Sequence, residues 1–303
     1  MKQTNQWAMI LAGGDGTRLE KFTELLHGDK RPKQFSVLVG NQTLLSLTLH
    51  RTARVIPPER TVVMLTRNHE EYYKDEFHDF PNVRRLVQPR NRGTAPAIYW
   101  GIVEAANSDP NAIVAILPSD HFYSRESRFL ESLEVAFDEA EKFGKVVLLG
   151  APATGPETSY GWIELGASGN PSASSWPVNA MWEKPERAEA EKLFHRGCLW
   201  STFVMVGQVR SLLHLIRKST PEISRLLYRS LSAENRIESA YDQLRPIDFS
   251  REVLLRSQRD LLAVPMGDAG WSDLGEAPRA VAVLAEHGTN TQRSLAAALA
   301  ARG

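Results

Sequence analysis

Three glycines crowd into the segment Leu11-Ala12-Gly13-Gly14-Asp15-Gly16-Thr17-Arg18-Leu19, directly after a short apolar run. A turn with so few side chains lets the backbone approach a ligand closely, and its N–H groups can point at phosphate oxygens. Arg18 adds a fixed positive charge with a planar donor fork. No Gly-Lys-Ser/Thr follows at P-loop spacing, and Leu19 stands where the dinucleotide fingerprint needs its third glycine. The competing reading is a tight turn beside a surface arginine. Two carboxylates distant in sequence, Asp120 and Asp273, each follow a strand-like run. With phosphate oxygens they would make the hard-oxygen shell that Mg²⁺ prefers. For Asp120 the competing reading is a helix N-cap.

The elements that position these groups follow an alternating rhythm. Residues 7–12, 61–65, 84–87, 111–117 and 145–149 are short, mostly apolar runs, several of them rich in β-branched residues, bounded by turn residues as buried strands are. Helical spacing occupies 94–106, with Thr94 as N-cap, Pro96 in the first turn and Ile98, Ile102 and Val103 on one face. It returns over 127–143, where Phe129, Leu133, Ala136, Phe137 and Ala140 fall in step. Such alternation predicts an α/β fold, Rossmann-like, with a mostly parallel central sheet and helices on both faces. Ligands then sit beyond the C-terminal strand ends, after Ala12, Val87 and Leu117. Past Gly150, strands are expected at 160–165 and 178–183 around a Gly/Ser/Pro-rich loop, 167–177, and again at 202–206 and 261–265.

Arg31-Pro32-Lys33-Gln34-Phe35 gives the glycine turn a more specific meaning. LAGGDGTRL and RPKQF together resemble the N-terminal signature of sugar nucleotidyltransferases, mannose-1-phosphate guanylyltransferases in particular. Gln88-Pro89-Arg90-Asn91-Arg92-Gly93-Thr94-Ala95-Pro96-Ala97-Ile98 resembles that family's nucleotide-side loop, and Leu117-Pro118-Ser119-Asp120-His121 its metal-binding turn. Tyr160-Gly161-Trp162-Ile163-Glu164 and Glu183-Lys184-Pro185 resemble its sugar-side segments. Pro246-Ile247-Asp248-Phe249 and Trp271-Ser272-Asp273-Leu274-Gly275 complete the series, in the family's order, over nearly the whole chain.

The resemblance implies the nucleotide-diphospho-sugar transferase fold, with Mg²⁺ as cofactor. It implies a nucleoside triphosphate, GTP first, and a sugar 1-phosphate, mannose 1-phosphate first, as partners. Catalytic roles fall to Arg18, Lys33 and Asp120. Nucleotide contacts fall to Leu11, Ala12, Gly13, Gly14, Gly16, Thr17, Gln88, Arg92, Gly93, Thr94, Ala95 and Ser119. Sugar-phosphate contacts fall to Tyr160, Gly161, Glu164, Glu183, Lys184 and Ser201, and metal ligation to Asp120 and Asp273. The implied division is a catalytic domain over 1–280, with its nucleotide side to about 150 and its sugar side over 151–280. A C-terminal helical tail over 281–303 follows, in a short form lacking the extension domain of longer relatives.

The chemistry accounts for these residue types without the family name. A sugar phosphate oxygen must attack an α-phosphorus in line with departing pyrophosphate, so two polyanions meet and charge must be neutralised. Positioning and electrostatics carry such a reaction. Arg18 and Lys33 suit the triphosphate, and Lys184 suits the phosphate of the sugar. Each lysine alone reads as a solvated surface residue. Gly161 lets a sugar ring approach the backbone, and Glu164 and Glu183 can accept from its hydroxyls. Trp162, Trp182 and Trp271 are stacking candidates whose default is core packing. His121 reads equally as a nucleotide contact or as a packed histidine.

Three segments depart from the family pattern. Glu20-Lys21-Phe22 replaces a Trp-Pro pair. Ser201-Thr202-Phe203-Val204 stands for an Asn-Ser-Gly-hydrophobic run, and the shorter Ser201 hydroxyl lacks an amide's paired donor and acceptor, which leaves the sugar open. Glu276-Ala277-Pro278 follows Gly275 in place of a small residue and Trp. Another base or sugar, or a catalytically lapsed regulator that binds sugar nucleotides, are the alternatives.

Composition narrows the rest. Lys plus Arg equals Asp plus Glu at 36 each, so there is no basic excess for a nucleic-acid polymer or an anionic membrane. The single cysteine, Cys198, excludes an intramolecular disulfide, and its apolar neighbours favour burial over a nucleophile's role. Residues 1–6 are polar and no apolar run is long enough to span a bilayer, so a cytoplasmic chain is expected. A homodimer is left open.

Overall fold

The computed structural model describes residues 5–167, 173–231 and 236–300. Residues 1–4, 168–172 of the Gly/Ser/Pro loop and 301–303 of the tail lie outside that set. β1 (Gln6–Leu11) runs between β2 (Thr61–Thr66) and β4 (Ile113–Pro118), with β3 (Arg84–Gln88) outside β2, all parallel. β6 (Val146–Pro152), β7 (Gly161–Leu165), β8 (Trp176–Glu183), β9 (Leu199–Gln208) and β10 (Leu261–Pro265) extend this sheet in the order β3-β2-β1-β4-β9-β6-β10-β8-β7. β8 and β9 run against all their partners, and the other strands share one direction. The start of β9 also pairs with β7, Gly161 opposite Ser201, so β9, β6, β10, β8 and β7 close into a ring. A separate two-stranded ribbon joins β5 (Phe122–Tyr123) to β11 (Trp271–Ser272).

β1 is buried on both faces because alternate residues feed two cores. Met9 joins Met64, Ile116, Ile98 and Ile102 beneath α4 (Thr94–Ser108), while Ile10 joins Val63, Leu117, Phe129 and Phe137 beneath α5 (Glu126–Phe143). Leu45 and Leu49 of α2 (Leu44–Ala53) pack on the second face. Helices cover both faces, as the alternation predicts. α7 (Val209–Ser219), α8 (Pro221–Leu227) and α9 (Ile237–Gln243) add to the first layer. The short α3 (Glu70–Tyr73) follows β2. No described helix is long and apolar enough to cross a membrane.

One capping expectation is corrected, and the competing reading of Asp120 as a cap is not met. Gly93, not Thr94, caps α4, because only a left-handed φ of 80° lets the chain enter the helix there. The Thr94 hydroxyl instead accepts from the Phe249 N–H at 2.8 Å. Asp120 caps no helix, since β5 follows it. Cys198 is buried with Trp162, Ala190 and Leu193 against α6 (Arg187–His195).

The C-terminal segment is not a loose tail. α10 (Ala277–His287) and α11 (Asn290–Ala300) bury Ala280, Leu284 and Ala296 against Leu19, Leu38 and Phe22 of α1 (Glu20–His27). The Gln292 amide bonds both backbone groups of Gly40, at 3.1 and 3.0 Å. The segment Glu20-Lys21-Phe22 therefore opens a helix whose buried face meets the chain's last two helices.

Candidate active site

At the C-terminal end of β1 the glycine turn is held by its carbonyls. Thr66 Oγ1 donates to the Gly13 carbonyl at 3.0 Å, and Gln34 Nε2 donates to those of Ala12 and Gly14 at 3.1 and 2.7 Å. The N–H groups of Gly13, Gly14, Asp15 and Gly16 find no acceptor among the described residues. A Cβ on Gly13 would lie 2.7 Å from Thr66 Oγ1, so only glycine fits. Gly16 adopts a φ of 65° and backs onto Pro32 and Lys33. The result is a concavity of unpaired backbone donors, suited to an anion.

Lys33 and Asp120 face this turn across a cleft of about 210 Å³ that Thr17, Arg18 and Gly275 also line. Lys33 is buried, yet its Nζ bonds Asp120 Oδ2 at 2.9 Å and the Asp273 carbonyl at 2.6 Å. Arg18 is exposed and has no ion pair among the described residues. A larger cavity, about 850 Å³, lies between α1, α10 and α11, but alanine and other apolar residues dominate its lining. Its Arg293 is tied to the Gly288 and Glu286 carbonyls. Convergent charge makes the smaller cleft the candidate site.

Several residues expected to touch the nucleotide are tied into the framework. Ser119 is buried and donates to the Leu11 carbonyl at 2.6 Å. Gln88 donates to the Leu65 carbonyl and accepts from the Tyr241 hydroxyl. Arg92 Nε donates to the Tyr241 carbonyl at 2.8 Å. Gly93 and Ala95 lie against Ile247, whose N–H and carbonyl bond Arg92 and Ala95. The Pro246–Phe249 motif is thus a strap across the nucleotide-side loop. Asn91 ties that loop to the glycine turn, donating to Asp15 and accepting from the Gly93 N–H, both at 2.9 Å.

On the sugar side, Gly161 sits between Glu183 and Ser201; an added Cβ would lie 3.0 Å from Glu183 Oε2 and 3.1 Å from Ser201 Cβ. Lys184 is half-exposed, 3.6 Å from Glu183 Oε1. Burial pushes the Glu183 carboxyl up, against the pull of Lys184. Glu164 does not join this group. It shares a strand face with the buried Trp162, and Arg196 and Asn179 occupy its carboxylate. Lys184, Phe203 and Leu274 are the non-glycine residues with left-handed φ among those described, at 52°, 60° and 45°. All lie within two residues of Lys184, Ser201 or Asp273, and such strain persists where the surroundings over-determine it.

Asp273 links the halves. Its Oδ1 accepts from the Tyr160 hydroxyl and the Gly275 N–H, each at 2.9 Å, and lies 3.1 Å from Arg279 Nε. Burial opposes its charge, but Lys33, Arg279 and the Gly275 N–H outweigh that and hold the carboxyl below its usual range. Burial, aided by the Asp273 charge, pushes the Tyr160 phenol far up, so it remains a donor. Tyr160, Trp200 and Trp271 form an aromatic wall, with Tyr160 about 5 Å from each indole (5.1 and 5.0 Å). Trp162 is core. His121 is buried and accepts from Trp271 Nε1 at 3.1 Å, and burial lowers its pKa to about 4.

Oxygens of the kind a divalent ion takes are present: the Lys33 ammonium bonds Asp120 Oδ2 and the main-chain carbonyl, not the carboxylate, of Asp273, and Asp273 Oδ2 has no hydrogen bond among the described residues. No cluster of three or more His, Cys, Asp or Glu surrounds it among those residues, so substrate phosphates would complete the shell. Arg279, Gln34 and Asn91 are site residues that the sequence alone does not single out. For Gln34 the available signal is its place beside Lys33 in RPKQF.

Comparison with known proteins matches residues 7–286 to the family described as nucleotidyl transferase. The chain is 30% identical over 278 residues to the xanthan biosynthesis protein XanB of Xanthomonas campestris, covering 88% of this chain and 57% of that one. It is 27% identical to a mannose-1-phosphate guanylyltransferase of Escherichia coli, covering 91% and 59%. A crystal structure described as mannose-1-phosphate geranyltransferase from Thermus thermophilus superposes with a TM-score of 0.79 at 31% identity, over 90% of this chain and 77% of that one. The chain thus spans somewhat over half the length of these curated relatives.

Proposed function

Because the chain belongs to the nucleotidyl transferase family, we propose that it joins a nucleoside triphosphate to a sugar 1-phosphate and releases pyrophosphate. GTP and mannose 1-phosphate are the first choice. The observation that carries this reading is the cleft where Gly16, at the end of a turn of unpaired N–H groups, meets Arg18, Lys33 and Asp120. The guanylyl and mannosyl assignments rest on the names of the relatives and on the RPKQF and RGTAP motifs. Residues 1–280 form the catalytic domain in this reading, and GTP as donor places the reaction in the cytoplasm.

In the mechanism, the glycine turn receives triphosphate oxygens on its N–H groups. Arg18, free of any ion pair among the described residues, moves onto the same phosphates. Lys184 holds the sugar phosphate on the far side, with Gly161 leaving room for the ring. A phosphate oxygen of the sugar then forms a bond to the α-phosphorus as the bond to the bridging oxygen breaks, and pyrophosphate leaves with that electron pair. Lys33 neutralises charge as it develops. Mg²⁺, held by Asp120 and Asp273, would supply further neutralisation at the phosphate oxygens.

A panel of nucleoside triphosphates crossed with sugar 1-phosphates, scored for Mg²⁺-dependent pyrophosphate release, tests the reading. GTP with mannose 1-phosphate is expected to lead. A different leading pair corrects the substrates, and no pair above background leaves a sugar-nucleotide-binding regulator.

A further inference from the structure

Helix α10 brings a charge into the site that none of the recurring motifs contains. Arg279, in its first turn, is largely buried. Its Nη1 lies 2.8 Å from Glu157 Oε2, and its Nη2 donates to Ser159 Oγ at 3.2 Å. Its guanidinium carbon stands 4.7 Å from the centre of the Tyr160 ring. Nε approaches Asp273 Oδ1 to 3.1 Å but without hydrogen-bond geometry, so the contact is purely ionic.

These contacts converge on one carboxylate. Tyr160 and the Gly275 N–H bond the same Asp273 oxygen that Arg279 faces. Oδ1 is thereby saturated, and Oδ2 is the oxygen left to serve a ligand. On the other side of the same residue, the Asp273 carbonyl accepts from Lys33. Only a planar, branched cation reaches Glu157, Ser159, Tyr160 and Asp273 at once; an ammonium is a single point of charge.

We propose that Arg279 is a positioning residue for nucleotidyl transfer: it fixes the rotation of the Asp273 carboxylate and clamps residues 157–160 against it, so that Oδ2 faces the reacting phosphates. The proposal rests on the function given above. It predicts that the guanidinium's shape, and not only its charge, is required. It also makes the C-terminal helices part of the active site, through α10, rather than an appendage to it.

The test uses Arg279→Lys and Glu157→Gln in the full chain. Arg279→Lys is expected to lower kcat by roughly ten- to a hundred-fold while the nucleotide Kd changes less than about threefold, and Glu157→Gln to produce a smaller loss of the same kind. Adding Tyr160→Phe to Arg279→Lys should cost little more, because both act through Asp273. Mn²⁺ affinity in the presence of pyrophosphate, read by electron paramagnetic resonance, should weaken about tenfold in Arg279→Lys whether or not turnover is seen. Losses that track only the folded fraction, or losses from the two sites that multiply independently, overturn the proposal, as does an unchanged Mn²⁺ affinity. A wild-type chain that binds Mn²⁺ and turns over no substrate pair refutes the proposed function, and the metal arm then still decides the role of Arg279.

Discussion

The Lys33 ammonium lies 2.9 Å from Asp120 Oδ2, inside a cleft that Gly16, Thr17, Arg18, Leu19 and Gly275 also line. The pair is partly buried, so each charge stabilises the other where water is scarce. When a triphosphate and its cation enter, this contact is the one that must be shared. Lys33→Met is expected to lower turnover by about two orders of magnitude or more, as loss of a strong preorganised electrostatic contact does. Steady-state kinetics with circular dichroism as a folding control checks it; a loss under about threefold in folded protein removes Lys33 from the chemistry.

Asp120→Asn and Asp273→Asn keep shape and remove charge. Each is expected to lower turnover by about two orders of magnitude and to raise the Mg²⁺ concentration needed for half-maximal rate. The double variant should cost little beyond the worse single one, since in the proposed mechanism both serve one ion. Strictly additive losses with an unchanged Mg²⁺ dependence would show separate roles.

Lys184→Ala should impair use of the sugar phosphate far more than binding of the nucleotide. Its side chain is half-exposed and 3.6 Å from Glu183, with no tie to the glycine turn among the described residues. Calorimetry with nucleotide alone, beside kinetics in the sugar phosphate, separates the two. Equal losses on both sides would place Lys184 elsewhere.

His121 predicts a pH dependence of stability. Burial holds its pKa at about 4 in the folded chain, against an ordinary value of 6.5. Between these values the unfolded chain binds the proton and the folded chain does not, so stability falls as pH drops from 6.5 to about 4 and levels below. The loss amounts to roughly 3 kcal/mol at most. His121→Gln retains an acceptor for Trp271 without titrating, so its melting temperature should fall less across this window. Parallel curves for the two proteins would exonerate His121.

Much of this was legible in the sequence, and the failures have identifiable causes. The runs around β1, β2, β4 and β6 are apolar and nearly continuous, as doubly covered strands must be, and their ends place the glycine turn and Asp120 at one edge. Strand parity bears on Glu164 where motif position does not: two residues from Trp162, it must share that buried residue's face of β7, away from Gly161. Thr94 resembles a cap, but Gly93 and the distant Phe249 N–H decide its role. Arg279 depends on Glu157 and Ser159, remote in the chain and brought close only by packing of α10. No local spacing carries that information.

The place of β10 in the sheet bears on how the chain is made. It is the last strand of the large sheet to leave a ribosome, yet it pairs with β6 on one side and β8 on the other. Until residue 265 is available, both neighbours present open edges, the kind of surface that recruits the wrong strand. β1 to β4 can pair as soon as residue 118 has emerged, but the ring beyond them must wait for residue 265. Protection from aggregation during synthesis is therefore needed longest by β6 and β8, and a nascent chain halted just short of Leu261 is the form most exposed to it.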